Sequence, residues 1–174
     1  MKEPMSIEGY DKLIEEFKYL LEVEKPKVAH EKLVAAALGD RSENADYQAA
    51  KEKLRFIDKR LFYLNKMIQK SQIIDPSLHE HHQVAFGSTV ILVNIDTDEE
   101  EKYTICGVLE SEPENGLISI HSPLARAMLG KKKGDEFKIQ LPNVLKEYEI
   151  EKIEYKNIFS LKHNIRSKSD FSFH

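Results

Sequence analysis

The sequence predicts an α+β protein. An N-terminal antiparallel α-helical hairpin of coiled-coil type precedes a small antiparallel β-sheet domain with one short helix. Three observations predict it. Tyr47, Ala50, Leu54, Ile57, Leu61, Leu64 and Ile68 follow one another at spacings of three, four, three, four, three and four. That is the period of a coiled-coil seam. A glycine and a short polar turn, beginning Gly39-Asp40-Arg41-Ser42-Glu43, separate this seam from an earlier helical pattern. From Val84 the pattern changes to short β-branched and apolar runs divided by turn residues.

The first helix is predicted from Ser6, a good N-cap residue, to about Leu38. Leu13, Phe17, Leu20 and Leu21 give it an apolar stripe, although Glu24 and Glu31 fall near seam positions. Pro26 removes a backbone donor inside the pattern and predicts a kink. Gly39 suits the C′ position, where a left-handed residue ends a helix. The second helix is predicted from Ser42 or Glu43 to Ser71, about 40 Å at 1.5 Å per residue. The short connection makes the two helices antiparallel neighbours and puts Asp40 and Glu43 at the far end of a rod.

Asp75-Pro76 ends the helical region, and the stretch through His79, His81 and His82 reads as a linker. The strands then follow as VAFGSTVILVNI, KYTICGVLE, GLISI, EFKIQL and EYEIEKIEY, all predicted antiparallel. Between the third and fourth, Ser122 caps a short helix with Pro123 in its first turn and Gly130 after its end. The predicted divisions are a hairpin over 1–75 with its tip at 39–46, a linker over 76–83, a sheet domain over 84–156 and a flexible polar tail over 157–174.

The 174 residues carry a net charge of only −4, so no global basic signature marks a nucleic-acid binder. Charge is local instead. Between Tyr47 and Lys70 stand seven basic residues, Lys51, Lys53, Arg55, Lys59, Arg60, Lys66 and Lys70, against Glu52 and Asp58. A single cysteine, Cys106, excludes an intramolecular disulfide and any multi-cysteine metal site, and its strand position suits a core residue. No apolar run spans a bilayer and no signal-peptide core precedes the first helix, which predicts a cytoplasmic protein with no membrane partner. The histidines lack a second ligand cluster at a zinc spacing. Glycine-rich phosphate loops and Ser/His/Asp signatures do not occur.

Asp40 and Glu43 admit two readings. As Asp-x-x-Glu at a helix start they form a variant capping box, with acid placed against the helix dipole. As two ionised carboxylates they suit Mg2+, which takes oxygen ligands and is commonly held by one or two carboxylates plus phosphate oxygens. Such a pair on an exposed turn binds the ion weakly alone, so the pattern fits a metal site completed by another protein better than an autonomous nuclease. Asp46, nearly a turn further on, has at most a supporting role. Tyr47 is either a seam residue or a platform for a nucleic-acid base.

GDRSENADYQAAKEKL, ISIHSPLARAMLGKKKGD and EYEIEKIEY, in that order, resemble the tip, the C-terminal signature and the last strand of the GreA/GreB family of bacterial transcript cleavage factors. The resemblance covers about residues 4–156. ADYQ and KEKLRFIDKRLFYL look more like the GreB branch, whereas Ala49-Ala50 and the low net charge look more like GreA.

The resemblance implies a monomer that binds bacterial RNA polymerase and is not itself an enzyme. It implies a hairpin inserted through the polymerase's secondary channel, stimulating the polymerase's own cleavage of backtracked RNA. It makes Asp40 and Glu43 the residues that position Mg2+ at the polymerase active site. It gives the C-terminal domain an FKBP-like fold and makes Ser122, Pro123, Leu124 and Arg126 its polymerase-docking surface. In such a channel Lys51, Lys53, Arg55, Lys59 and Arg60 are the candidates for phosphates of the nascent RNA 3′ end. A plain coiled-coil interaction protein, which leaves the acid pair no purpose beyond capping, is one rival, and two more accompany the resemblance. One is a Gre-like inhibitor of polymerase, which carries a more acid-rich tip. The other is an FKBP-like peptidyl-prolyl isomerase, whose aromatic-lined pocket is poorly matched by Phe86, Tyr103, Phe137 and Tyr148 in a chain without tryptophan.

Overall fold

The computed structural model describes residues 2–155. The predicted flexible tail over 157–174 lies outside the described residues. The chain divides into two compact units, one built from Glu8–Ser71 and the other from Glu3–Ile7 together with Gln72 onward.

The first unit is a helical hairpin. Helix α1 spans Ile7–Tyr19, a π-helical turn spans Leu20–Glu24, α2 spans Lys25–Ala36 and α3 spans Ala45–Lys70. The sequence predicts an irregularity at Pro26, and it occurs just before that residue. The Lys25 N–H reaches five residues back to the Leu20 carbonyl. Proline has no N–H and its ring crowds the preceding turn, so a widened turn relieves both constraints. Val28, Ala50, Ile57 and Leu61 form the buried seam, with Phe17, Leu20 and Leu54 packed beside them. Further along α3 the buried position after Leu64 is Met67 rather than Ile68, which is half-buried. Leu21, assigned to the apolar stripe by its spacing, is exposed.

Charge pairs flank the seam. Glu24, out of place in an apolar heptad, accepts from Lys53 Nζ at 2.9 Å. That bond holds its carboxyl below the usual carboxylate range against a smaller opposing effect of burial. Lys25 pairs with Asp58 at 2.7 Å.

The second unit contains a two-stranded sheet of β1 (Glu3–Met5) and β2 (Ser71–Ile73) and a five-stranded sheet. The larger sheet is formed by β3 (Ser88–Asn94), β4 (Glu100–Cys106), β5 (Leu117–Ser119), β6 (Glu136–Leu141) and β7 (Val144–Tyr155), in the order β5-β4-β3-β7-β6. Three pairings are antiparallel, but β4 and β5 run parallel, which corrects the all-antiparallel expectation. The link between β4 and β5 is a path through two short 3₁₀ turns, Val108–Glu110 and Pro113–Asn115, rather than a hairpin. Val90, Leu92, Ile105, Phe137, Tyr148 and Ile150 build the core with Ala125 and Met128 of the short helix α4 (Pro123–Met128). Cys106 is fully buried, as its strand position predicts.

At one edge of this core Glu101 accepts the Tyr103 hydroxyl at 2.7 Å and the Tyr148 hydroxyl at 2.9 Å, with Lys146 Nζ 3.6 Å away. Burial pushes the Glu101 carboxyl up, but the two tyrosine hydroxyls and Lys146 together outweigh it and hold the group below its ordinary value.

Two predicted boundaries move. Residues 3–7 belong with the sheet unit rather than the hairpin, because β1 pairs with β2 and Ser6 is buried with its hydroxyl donating to Glu110. The predicted linker over 76–83 is packed structure. Pro76 is buried, and His81 lies within hydrogen-bonding distance of Ser88 Oγ at 2.9 Å and the Pro76 carbonyl at 3.0 Å while stacking on Tyr155. Gly87, at φ +83°, makes room for this: a Cβ there would lie 2.4 Å from the Pro76 side chain.

Candidate functional site at the hairpin turn

Helix α2 ends with Ala37 and Leu38 donating to carbonyls three residues back, Val34 and Ala35. Gly39 is exposed and is not among the glycines with positive φ, so it does not act as the left-handed C′ residue its position suggests. The start of α3 also differs from expectation. Asn44 is the N-cap, its side-chain oxygen accepting from the Tyr47 N–H at 3.1 Å, and the helix begins at Ala45 rather than at Ser42 or Glu43. The capping role that the Asp-x-x-Glu spacing offers to Asp40 and Glu43 is therefore taken by Asn44.

Asp40 and Glu43 are both exposed on the turn. Asp40 Oδ1 accepts from the Ser42 N–H at 3.0 Å and from the Ser42 hydroxyl at 2.9 Å. The backbone bond first, and then the hydroxyl, hold the carboxyl below its usual range. Both bonds fall on one oxygen, leaving Oδ2 directed to no partner among the described residues. Glu43 makes no hydrogen bond or ion pair among the described residues. Asp46 is exposed in the first turn of α3, where negative charge suits the helix dipole.

The donor set fits an oxygen-preferring divalent ion in part: two exposed carboxylates on one turn with unengaged oxygens. Among the described residues no group of three or more His, Cys, Asp or Glu side chains is arranged to hold a metal. The histidine-rich stretch is accounted for by packing of His81, with His79 and His82 exposed.

The turn holds residues that the sequence reading passed over. Asn44 Nδ2 donates to the Ala35 carbonyl at 2.6 Å, and Gln48 Nε2 donates to the Arg41 carbonyl at 2.8 Å. The signal for Asn44 was present, since asparagine directly before a helical run is among the best N-caps. Tyr47 is half-buried, with Lys32 Nζ 5.7 Å and the Arg41 guanidinium 5.8 Å from its ring centre. These three residues line a cleft of about 340 Å³ together with Ala29, Leu33, Ala36 and Leu54.

The five basic candidates on α3 are not equivalent. Lys53 is paired with Glu24, Arg60 with Glu16, and Arg55 with Glu52 through its Nε at 3.0 Å. Lys51 and Lys59 are exposed and make no ion pair among the described residues.

The predicted docking residues share one helix end. Ser122 caps α4 by accepting from the Ala125 N–H at 3.2 Å, and Pro123 occupies the first turn. Pro123 and Arg126 are exposed, while Leu124 packs partly into the core.

Residues 3–73 match the family model described as the N-terminal part of transcription elongation factors, and residues 79–155 match the GreA/GreB C-terminal one. The chain belongs to the GreA/GreB family of transcription elongation factors. Among its relatives, transcription elongation factor GreA of Nautilia profundicola is 51% identical over 157 residues, covering 90% of this chain and 97% of that protein. GreA of Helicobacter pylori strain Shi470 is 50% identical over the same length, covering 90% and 96%. Among solved structures, the GreA factor homolog 1 protein of Thermus thermophilus aligns with 88% of this chain and 99% of its own, at 20% identity and a TM-score of 0.42.

Proposed function

We propose that this chain is a transcript cleavage factor. It binds RNA polymerase through the Ser122–Arg126 surface, extends its hairpin into the secondary channel and stimulates the polymerase's own cleavage of backtracked RNA. The observation that carries this reading is the division of labour at the turn. Asn44 caps the helix, so the helix start does not require Asp40 and Glu43, two acids exposed on the turn between the helices. A rod with acid at its end, and with too few ligands for a metal site of its own, suits a site completed by a partner.

Asp40 through Oδ2 and Glu43 through its carboxylate are the groups that would hold Mg2+ beside the polymerase's own ligands. When bound, the ion supplies charge stabilisation and activation of water for phosphodiester hydrolysis. The chain's own contribution is to hold both carboxylates in place on the turn. The Ser42 bonds favour the ionised form of Asp40. Lys51 and Lys59 are the basic candidates available for RNA phosphates without breaking a hairpin ion pair.

The test is to add the protein to a stalled, backtracked elongation complex with Mg2+. Shortened RNA that again becomes extendable supports the reading. Unchanged RNA with the factor bound, together with slowed synthesis, would identify an inhibitor instead.

A further inference from the structure

We propose that Asn44 and Gln48 are positioning residues for the acidic turn, their two side-chain amides fixing the backbone that carries Asp40 and Glu43. This rests on the cleavage reading above. Asn44 uses both ends of its amide. Its oxygen accepts from the Tyr47 N–H at 3.1 Å and starts α3, and its nitrogen donates to the Ala35 carbonyl at 2.6 Å in the last turn of α2. One side chain thereby joins the end of one helix to the beginning of the next. Gln48 follows four residues later, on the same side of α3. Its Nε2 reaches the Arg41 carbonyl at 2.8 Å, between Asp40 and Ser42 in the chain.

The choice of amides is informative. Aspartate caps a helix as well as asparagine does, and glutamate suits a helix interior as well as glutamine. Only the N–H donors require Asn44 and Gln48 at these places, and both donors are aimed at backbone carbonyls rather than at α3 itself. Residues 37–43 are all exposed and have no buried side chain to define their path. The Ser42 bonds to Asp40 shape the loop internally. Among the described residues, the two amides supply the side-chain hydrogen bonds that tie it to the helices. Glu43 is covalently adjacent to Asn44, so its carboxylate inherits the position of the clamp.

Asn44→Asp and Gln48→Glu exchange each donor for an oxygen at nearly constant shape. In the full chain, each is expected to leave the melting temperature and the concentration of factor giving half-maximal cleavage unchanged. The plateau cleavage rate should fall about tenfold, as a misplaced catalytic group does. Amide hydrogen exchange at Ser42 should speed up about tenfold as the turn opens locally. Asn44→Ser, which keeps a cap but is too short to reach Ala35, should behave alike.

Faster cleavage in the two acidic variants would mean that local charge, not placement, governs the turn, and would overturn the proposal. So would a lowered melting temperature with a raised half-saturating concentration, the mark of a purely structural role, or unchanged exchange and rate. Asp40→Ala separates this inference from its premise. If Asp40→Ala is inactive and Asn44→Asp fully active, only the positioning role fails. If Asp40→Ala cleaves like the parent, the metal-positioning role of the acidic turn fails, and hydrogen exchange alone judges the clamp.

Discussion

Arg60 and Glu16, forty-four residues apart in the chain, meet in a two-point ion pair across the hairpin, with Nε to Oε1 at 2.7 Å and Nη2 to Oε2 at 2.9 Å. The pair changes how the basic face of α3 is to be tested. Arg60→Gln removes a hairpin contact along with a charge, so any loss of RNA affinity would be mixed with loss of stability. Both partners are more than two-fifths exposed, so the contact is screened. Its removal is expected to cost about 0.5 kcal/mol, read as a small fall in the urea midpoint, with a coupling to Glu16→Gln of under about 1 kcal/mol.

Lys51 and Lys59 provide the cleaner test. Lys51→Gln with Lys59→Gln should leave the urea midpoint within about 0.5 kcal/mol of the parent, since glutamine keeps helix propensity and neither lysine is in an ion pair among the described residues. Rescue of deeply backtracked complexes should weaken and its dependence on salt should flatten. An unchanged salt slope would make the basic face a solvated surface.

Asp40→Ala and Glu43→Ala should each abolish most stimulated cleavage while polymerase binding persists. Because Asn44 is the cap, neither should cost more than about 0.5 kcal/mol of stability, the ordinary range for exposed positions. A cleavage time course and a binding titration on the same preparations decide it.

On α4 the exposed residues discriminate better than Leu124, whose side chain contributes to the core. Pro123→Ala with Arg126→Glu is expected to lower polymerase affinity about tenfold or more without shifting the melting temperature. A charge reversal within an interface commonly has that effect. Unchanged affinity in a titration would remove this surface from the docking site.

Glu101 gives a prediction in pH. Its carboxyl lies below the ordinary range in the folded chain, so it contributes stability above the unfolded carboxylate value. That contribution is lost as pH falls through the lowered folded value. Urea midpoints of the parent and Glu101→Gln should therefore differ most near neutral pH and converge as the solution is acidified from about pH 5 to pH 3. A constant gap across that range would show that the two tyrosine hydroxyls bond the neutral side chain equally well.

The helical hairpin and the five strands of the larger sheet were legible because their side chains repeat with the period of their backbone. Ala50, Ile57 and Leu61 are buried where a three-four spacing puts them, and Val90 and Leu92 where alternation does. The direction of β5 was not legible, since three residues carry no orientation and turn signals alone suggest a hairpin. β1 and β2 escaped because three-residue strands, one containing Pro4, have no periodicity. The segment over 76–83 looked like a linker because its polarity hides one histidine that packs and one proline that is buried.

At the tip, the two acids could be read from the chain, but their separation from the cap could not. Asp-x-x-Glu and a lone Asn44 are equally good helix starts, and only the backbone chooses between them.

The order of the larger sheet leaves β5 and β6 at its margins, and this bears on how the protein behaves when crowded. An open margin invites a second copy to add its own strand and continue the ladder. β5 offers only three residues for such an addition. β6 is longer, but Glu136, Lys138 and Gln140 alternate along its exposed face. A second copy joining there would have to seat Glu136 and Lys138 against its own charges, and a parallel in-register addition sets like charges opposite one another. High concentration alone is thus a weak force toward edge-to-edge aggregation of this sheet.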